Sequence, residues 1–547
     1  MPARRVQRAM LTEPAPDHAA KPLVAYFSME FGLHEEFPSY AGGLGILAGD
    51  FMKSAGGLGL PVMGIGLRWA QGYTVQRIGP DGYPVDHWQD HHADFLGDTA
   101  VRVRIRIGSR EVECCVWRVG RYPIAPLFLL EPTDPRDRWI TRRLYDTRPD
   151  ARVAQEMLLG IGGVRALQAL HLPVDLYHFN EGHAVFAGIE LIAGRMETGM
   201  SFREAWQAAR RSIVFTTHTP VPAGNEIHAL AELRRLGAGC ELVDAELREI
   251  GGDPFNMTVA GLRLARLANA VAQLHGETAR AMWAHVEGAA PIIAITNGVH
   301  VGTWQDPRIA GAAGAPEALR AARGALKREL LAAVEARTGV RLRRDALTIG
   351  FARRAAAYKR PELVLRDPDR LAPLLRERRM QLIFAGKAHP ADEAGKAMIA
   401  RLIETTRRWP ESMVFLENYD MGLARLLTRG CDVWLNNPRR PMEASGTSGM
   451  KAAMNGVLNL SVLDGWWPEG CQHGMTGWAI GDGGNGPDQD EKDARALYDT
   501  LEDEVLPTFA DPAGWTRMMA AAIRMGVERF SSDRMVGEYF GRLYAGP

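Results

Sequence analysis

The sequence lacks a net charge and has few cysteines. Lys and Arg together number 65, as do Asp and Glu, so the formal net charge is zero. Without a basic excess, the composition does not support a nucleic-acid partner, and any phosphate site must be local. The five cysteines among 547 residues form no CxxC pair and no zinc-binding spacing. Their odd number and spacing favour a reducing compartment.

Long apolar runs and targeting features are also missing. No uninterrupted apolar run reaches the roughly 20 residues that cross a bilayer. The first 21 residues are polar and rich in Ala, Pro and Arg, without the apolar centre of a signal peptide. We therefore predict a flexible leader over residues 1–21 and a cytoplasmic protein with no membrane partner. The 547 residues are enough for two or more domains, and the 46% of hydrophobic residues is ordinary for a globular protein.

Apolar, β-rich runs alternate with amphipathic helical patterns along the chain. The predicted strands are residues 23–29, 60–67, 174–179, 212–217, 291–296, 346–352, 380–385, 413–417, 433–436 and 457–462. The predicted helices of the first half are residues 151–170, 184–196, 203–211 and 259–285. This alternation predicts an α/β protein with parallel sheets built from βαβ units.

Two α/β domains follow from this pattern, over residues 22–309 and 310–520. The alternating pattern of residues 101–130 predicts an antiparallel insertion in the first domain. Residues 310–344 predict a helical connector, and residues 521–547 a C-terminal helix packing across the domains. Two such domains place a ligand cleft between the carboxyl ends of their sheets.

Lys451 follows a small, polar loop, Glu-Ala-Ser-Gly-Thr-Ser-Gly-Met-Lys over residues 443–451, and precedes an apolar run. Such a loop offers backbone N–H groups and hydroxyls to an anion. A lysine held against apolar surroundings loses charge and can form a Schiff base. A solvated side chain is the default expectation for an arbitrary lysine, and the neighbouring motifs weigh against it here.

Two further segments favour a phosphate ligand. The glycine-rich turn over residues 42–45 precedes a helical pattern and is a credible phosphate cradle. A plain tight turn is the favoured alternative there, since the spacing is neither GxGxxG nor a Walker loop. Residues 351–360 follow a predicted strand and contain four cations with no carboxylate between them, namely Arg353, Arg354, Lys359 and Arg360. This run predicts a clamp for dianions rather than a solvated helix start.

Several histidine-containing loops raise the question of a metal. Residues 178–183 and 86–92 carry histidines, and the first segment has neither HExxH nor zinc-helix spacing. For both segments we favour a structural or substrate-adjacent loop and predict no metal site. The polar residues of 216–220 and 295–299 follow predicted strands and are expected to face a ligand.

Together these motifs resemble those of the α-glucan phosphorylases, which act on glycogen, starch or maltodextrin, and most closely their compact bacterial and archaeal branch. The resemblance runs over about residues 23–483. Its strongest motifs are residues 443–451, 351–360, 415–419, 295–299 with Trp304, 42–45 and 217–219. It implies two Rossmann-like domains in the glycosyltransferase-B arrangement, with pyridoxal 5′-phosphate (PLP) in the interdomain cleft.

The resemblance also implies a role for individual residues. Lys451 is the expected Schiff-base lysine. The residues expected to contact PLP are Trp304, Arg353, Tyr419, Thr447 and Gly43. Those expected to hold the substrate phosphate are Arg354, Lys359 and the Gly43 backbone. Those expected near the terminal glucose are His218, Asn297, Glu443, Ser445, Gly446 and the loop Asn180, Glu181, Gly182 and His183.

The implied activity is that of a hexosyltransferase. Inorganic phosphate cleaves the terminal α-1,4 bond at the non-reducing end with retention, giving glucose 1-phosphate, while the 5′-phosphate of PLP shuttles a proton. Two adjacent phosphates repel strongly unless cations surround them, which agrees with the cation run. A phosphate with a second pKa near ~6 can give and take a proton near neutrality.

Departures from the animal and plant enzymes leave several points open. Ile46 and Asp420 replace arginines, and Ala356 and Ala357 replace a histidine and a glutamate. The chain is shorter, and we expect it to lack the extra N-terminal domain of longer relatives in the compact branch. The preferred glucan, the physiological direction, regulation and assembly into a homo-oligomer are left open.

Two alternative functions are compatible with such a chain. Nucleotide-sugar glucosyltransferases such as glycogen synthase share the two-domain frame, but often carry a second glutamate where this sequence has Lys451. A non-catalytic glucan-binding relative is the other alternative. The presence of Lys451, Arg354 and Lys359 together argues against it.

Overall fold

The computed structural model describes residues 21–545 except residues 222, 223 and 313. It shows a mixed α/β fold built on two large, mainly parallel sheets. The predicted leader lies outside the described residues except for Lys21. Within the described ranges, no helix is both long and apolar enough to cross a membrane.

The first half of the chain forms a nine-stranded sheet. Its strands, with those of two separate two-stranded sheets (β3 with β4, and β10 with β11), are β1 (Val24–Phe27), β2 (Val62–Leu67), β3 (Val75–Ile78), β4 (Pro84–His87), β5 (Leu96–Ile107), β6 (Arg110–Val119), β7 (Leu127–Pro132), β8 (Leu176–Asn180), β9 (Ile213–Thr216), β10 (Ile227–His228), β11 (Phe255–Asn256), β12 (Leu267–Ala270) and β13 (Ile292–Ala294). Its helices are α1 (Gly43–Gly57), α2 (Pro149–Met157), α3 (Gly163–Ala169), α4 (Val185–Met196), α5 (Phe202–Arg210), α6 (Leu230–Leu236), α7 (Asp244–Gly251), α8 (Met257–Leu264) and α9 (Gln273–Trp283).

The strand order of this sheet is β13-β12-β9-β8-β1-β2-β7-β6-β5. Pairing is parallel from β13 to β7, and β6 and β5 add antiparallel strands at one edge. Every residue of β1 and β2 is buried, as expected for parallel strands covered by helices on both faces. The edge hairpin of β5 and β6 instead alternates buried and exposed residues along β5.

The second half forms a six-stranded parallel sheet. Its strands are β14 (Leu347–Ala352), β15 (Met380–Ala385), β16 (Met413–Leu416), β17 (Val433–Asn436), β18 (Leu458–Val462) and β19 (Gly477–Ile480), in the order β16-β15-β14-β17-β18-β19. Its helices are α10 (Val301–Trp304), α11 (Pro307–Gly311), α12 (Pro316–Thr338), α13 (Pro368–Arg376), α14 (Glu393–Arg408), α15 (Met421–Gly430), α16 (Ser448–Ala453), α17 (Trp467–Gly470), α18 (Gln489–Thr500), α19 (Leu506–Phe509), α20 (Pro512–Arg529) and α21 (Ser532–Glu538). Short 3₁₀ turns lie at Gly182–Ala184, Ala357–Lys359 and Leu363–Leu365, and π-helical turns at Leu158–Gly162, Leu501–Val505 and Tyr539–Leu543.

Each predicted strand overlaps an observed one, but the single helix predicted over residues 259–285 is wrong. The structure divides it into α8, β12 and α9. The short Leu-Ala-Asn-Ala run of β12 pairs with β9 and β13 inside the sheet. Periodicity alone cannot separate so short a buried strand from a buried helical turn. Strand β19, which begins at a glycine, was not predicted.

The end of the chain packs against both sheets. Helix α20 contributes Trp515 and Met519 to the hydrophobic core of the second half. Beyond it, Met535 and Tyr544 lie in a core under the first sheet. The Tyr544 hydroxyl lies 2.6 Å from Nδ1 of His178 in β8. The last segment therefore links the two halves of the molecule.

The β3–β4 hairpin makes a second link. Lys387 donates a 2.9 Å hydrogen bond to the Thr74 carbonyl, and Lys396 lies 3.0 Å from Asp86. The Gln76 amide bonds both the N–H and the carbonyl of Ala388, at 3.0 and 3.2 Å. These contacts join the first half to the loop and helix that follow β15.

Candidate active site

Polar side chains follow the carboxyl ends of parallel strands in both halves. Arg353 comes directly after β14, and Glu443 lies on the loop after β17. Glu181 and His218 follow β8 and β9 in the first sheet. Ligands of open parallel sheets bind at this edge.

Lys451 is buried, against the default expectation for a lysine. It lies on α16 with only 6% of its surface exposed, and its Nζ is 3.7 Å from the centre of the Trp304 ring. Burial lowers the pKa of Lys451 to about 8; Asp50 opposes this shift and Lys53 adds to it. More of this amine is therefore neutral, and nucleophilic, near neutral pH than for an ordinary lysine.

Glu443 pairs with two cations of the 351–360 run. Its carboxylate accepts hydrogen bonds from Arg353 at 2.8 Å and from Lys359 at 2.7 Å, and no more than 9% of any of the three side chains is exposed. Burial would raise the pKa of Glu443, but the two cations outweigh it and hold the pKa below its ordinary value. Glu443 is therefore ionised at neutral pH, in a site where charge is compensated locally.

No carboxylate lies between the cations of this run in the sequence, but the fold brings carboxylates to them from distant segments. Besides Glu443, Asp490 and Asp493 reach it from α18, at 2.8 and 2.6 Å from the Arg360 guanidinium. Arg360 also donates to two backbone carbonyls, so it anchors its loop rather than facing a ligand. These carboxylates are distant in sequence, and local charge patterning cannot reveal them.

Two arginines of the run keep capacity for an anion. The Arg353 Nη1 atom is buried and has no hydrogen-bond partner in the described parts of the chain. Arg354 is exposed. Burial lowers the pKa of His389, and the Arg354 charge lowers it further, which places these two groups near each other.

Beyond the strands of the first sheet, Glu181 and His218 form a hydrogen-bonded pair. The Glu181 carboxylate accepts the His218 backbone N–H at 2.8 Å, and Glu181 adopts a positive φ of 75°. His218 Nε2 lies 2.7 Å from Oδ1 of Asn180, an acceptor, so Nε2 carries the proton and Nδ1 is free to accept. Burial lowers the pKa of His218 to about 3, which keeps the ring neutral.

Some of the residues predicted to lie near the terminal glucose have buried polar atoms without a hydrogen-bond partner. Within the described residues they include Ser445 Oγ, Asn297 Oδ1 and His183 Nδ1. Burial lowers the pKa of His183 to about 3, so this ring is also neutral. Buried polar groups are normally hydrogen-bonded, and a hydroxyl-rich ligand would supply the partners that these lack.

The glycine-rich turn is organised by Glu30, which was not predicted. The Glu30 carboxylate accepts the N–H groups of Ala41 at 2.6 Å and Gly42 at 3.2 Å, and Tyr145 also bonds it. A side chain at Gly45 would place its Cβ 2.5 Å from the same carboxylate. Gly43, at the start of α1, stays exposed and is the first residue of the turn with a backbone free of Glu30.

The remaining predicted residues lie close to these groups in sequence or space. Thr447 precedes α16, and Gly446 takes a positive φ of 81° that favours glycine. Burial raises the pKa of Tyr419, and the charge of Arg353 opposes this rise.

Ile46 is buried in a cluster with Trp304, and Asp420 caps α15 through the Leu423 N–H at 2.8 Å. Ala356 and Ala357 lie just before Lys359 and are not buried.

That the histidine-rich segments bind no metal stays a prediction, and two local environments bear on it. His178 is buried and bonded to Thr216 and Tyr544. Glu156, Glu226 and His228 offer ligand atoms within 4.8 Å of one another. Arg152 donates two 2.7 Å hydrogen bonds to Glu226, so one of these carboxylates is already paired with a cation.

Sequence reasoning also missed Asp464 and Asp50. Asp464 follows β18, so the strand-end rule that selected the other residues could have found it. Its carboxylate accepts the Glu443 N–H at 2.9 Å and holds the loop that carries Glu443. The only sequence signal for Asp50 is its position, since an acidic residue is unexpected among the buried apolar residues of α1.

The pKa of Asp464 predicts a pH-dependent contribution to stability. Burial raises this pKa from 3.8 to about 7, and the Glu443 charge adds to the rise. The contribution of Asp464 is therefore fully present below its ordinary pKa and is lost as the pH rises through about 7. We expect wild type to lose ~2–3 kcal/mol relative to Asp464→Asn between pH 5 and 8.

Unfolding midpoints of both proteins in urea, measured across this pH range, test the expectation. Asp503→Asn, at an exposed carboxylate, is the control and should show no such trend. A stability difference between wild type and Asp464→Asn that stays constant with pH would contradict it.

Fold and site together define a mixed α/β protein with a buried lysine and a group of cations paired with a buried glutamate. The family model for carbohydrate phosphorylases matches residues 308–469. Maltodextrin phosphorylase of Thermococcus litoralis is 40% identical, over 95% of this chain and 70% of that protein. Glycogen phosphorylase of Mycobacterium tuberculosis is also 40% identical, over the same shares.

Glycogen phosphorylase of Aquifex aeolicus is 35% identical, over 97% of this chain and 87% of that protein. The chain belongs to the carbohydrate phosphorylase family. The predicted resemblance to the α-glucan phosphorylases is confirmed.

Proposed function

We propose that this glucan phosphorylase is PLP-dependent and uses inorganic phosphate to release glucose 1-phosphate from the non-reducing end of glycogen or maltodextrin, with retention. Family membership supports the reaction class. The burial of Lys451, with its pKa lowered to about 8, is the observation that carries the cofactor assignment. An amine in this state suits covalent attachment to an aldehyde.

We propose two Rossmann-like domains in the glycosyltransferase-B arrangement, over residues 22–309 and 310–520, with residues 521–547 packing across them. Two mainly parallel sheets, each with helices between its strands, support this division. The polar residues beyond their strand ends then line the cleft between the domains, where the active site is proposed.

The residues present fit PLP. Lys451 would hold it, with Trp304 against the amine and Tyr419, Thr447 and Gly43 nearby in the proposed site. The buried Arg353 Nη1, which has no partner within the described chain, suits a phosphate oxygen. When bound, PLP supplies a phosphate whose second pKa near ~6 lets it exchange a proton with the substrate phosphate.

The substrate phosphate is assigned to Arg354, Lys359 and the Gly43 backbone. Lys359 donates a hydrogen bond to Glu443, which is assigned to glucose. This contact connects the phosphate site to the glucose site. The exposed Arg354 faces solvent, from which phosphate arrives. Compensating two phosphates with fixed cations costs little reorganisation during the reaction.

The terminal glucose is assigned to His218, Asn297, Glu443, Ser445 and Gly446, with Glu181 and His183 close by. The neutral His218 offers Nδ1 as an acceptor to a sugar hydroxyl. Ser445 Oγ and Asn297 Oδ1 are buried polar atoms that sugar hydroxyls can satisfy. The positive charge that develops on the sugar is paired with phosphate, unlike the two-carboxylate design of glycosidases.

The test is to assay the purified protein with maltodextrin and inorganic phosphate, and to map PLP after borohydride reduction. We expect stoichiometric PLP on Lys451 and α-glucose 1-phosphate as the product, with its configuration read by NMR. PLP on another lysine, or the absence of PLP, would contradict the cofactor assignment. Glucan extension from a nucleotide sugar would instead support the synthase-like alternative.

A further inference from the structure

Asp50 is a wholly buried carboxylate on α1. Its Oδ2 accepts a 2.7 Å hydrogen bond from Nε1 of Trp304. Its Oδ1 is also buried, and no partner for it exists in the part of the chain that the structure describes. A buried carboxylate with an unused acceptor is costly, so its place beside the proposed cofactor lysine calls for a reason beyond packing.

Trp304 joins Asp50 to Lys451. The indole N–H points to the carboxylate, and the ring lies 3.7 Å from the Lys451 Nζ. The three residues come from α1, α10 and α16, so their arrangement exists only in the folded chain. A hydrogen bond from the indole to a carboxylate polarises the ring and strengthens its attraction for an ammonium group.

Other charged groups surround this chain of contacts. Lys53, on the same helix as Asp50, donates a 3.0 Å hydrogen bond to Oγ1 of Thr303. The His300 ring lies 2.9 Å from the same hydroxyl. Arg425 on α15 forms an ion pair with Glu35. Arg425 lowers the pKa of Lys53 and Glu35 raises it. Asp50 and Lys53 lie on one helix and act on Lys451 with opposite charges, Asp50 raising its pKa and Lys53 lowering it.

We propose that Asp50 is a positioning residue: through Trp304 it holds the Lys451 amine over the indole ring, and its negative charge sets how much of that amine is protonated. This rests on the proposed function, in which Lys451 carries PLP. Asp50 belongs to none of the motifs that define the active site in the sequence. It couples α1, whose first residues form the glycine-rich turn, to the cofactor lysine.

The experiment measures the charge of the amine itself. Full-length protein freed of PLP is labelled with trace fluorodinitrobenzene from pH 6 to 10, and Lys451 labelling is quantified by mass spectrometry. Asp50→Asn keeps an oxygen acceptor for Trp304 but removes the charge. Because a nearby anion favours the ammonium form, we expect this variant to label about tenfold faster than wild type at pH values below both midpoints.

Lys53→Met is the matched control from the same helix. It removes a positive neighbour, so its labelling midpoint should move to higher pH, opposite to that of Asp50→Asn. Coincident Lys451 midpoints in wild type and Asp50→Asn would overturn the proposal. Asp50→Ser provides the same measurement if the asparagine variant does not fold.

A separate measurement keeps the proposal distinct from the proposed function. Borohydride mapping of the holoenzyme reports whether Lys451 carries PLP and is independent of the labelling midpoint. Absence of PLP with a shifted midpoint would leave the Asp50–Lys451 coupling standing and remove the cofactor role. PLP on Lys451 with an unshifted midpoint would support the cofactor role of Lys451 and overturn the coupling to Asp50.

Discussion

Replacing Lys451 with Met is expected to abolish covalently held PLP. Because the PLP phosphate is the proposed acid–base group, its loss should slow glucose 1-phosphate release by about 10²–10⁴-fold, the range that such a group contributes. Methionine keeps the length and apolar body of the side chain against Trp304, so the surrounding packing is largely retained. The measurements are the initial rate with maltodextrin and phosphate, and PLP content after borohydride reduction and digestion.

Lys53→Met is the control, since Lys53 is also a buried lysine with a lowered pKa, caused mainly by burial. It should keep stoichiometric PLP on Lys451. If Lys451→Met retained reducible PLP, or if Lys53→Met lost it, the assignment of the cofactor to Lys451 would fail.

Arg354→Ala is expected to impair the use of phosphate far more than glucan binding. A charge-assisted hydrogen bond contributes about 1.5–3 kcal/mol, so the KM for phosphate should rise roughly 10- to 150-fold. Arg354 is exposed and has no core role, so the variant should fold normally. Initial rates at varied phosphate and varied maltodextrin separate the two effects.

Arg366→Ala is a matched control, an arginine farther along the same half that pairs with Glu491 at the surface. It should leave both KM values unchanged, because surface ion pairs contribute little. An equal loss of phosphate and glucan affinity in Arg354→Ala would count against its proposed place at the substrate phosphate.

The strands were predictable because each is a short, continuous apolar run between helical patterns. The β15 bounds, Met380–Ala385, and the β17 bounds, Val433–Asn436, coincide with the prediction. The predicted helix over residues 259–285 failed because the Leu267–Ala270 strand is short and contains two alanines, which are compatible with either structure. Only pairing with β9 and β13 decides the matter.

The site was predictable where its residues share one linear motif. The 443–451 loop placed Lys451 beside an anion-binding loop, and the strand-end rule placed Arg354 and His218 at a ligand edge. Asp50 and Glu30 were not found, because their partners lie on other segments. Their importance appears only in hydrogen bonds to Trp304 and to the glycine-rich turn.

By itself, the sequence determined the α/β class, most strand positions, the family and the candidate lysine, because these depend on local periodicity and on contiguous motifs. The tertiary structure alone decided the charge state of the site. Glu443 meets Lys359, 84 positions away in the chain, and Asp50 reaches Lys451 through Trp304, 254 positions from Asp50. Burial and long-range ion pairing set pKa values, and neither is encoded in any single segment.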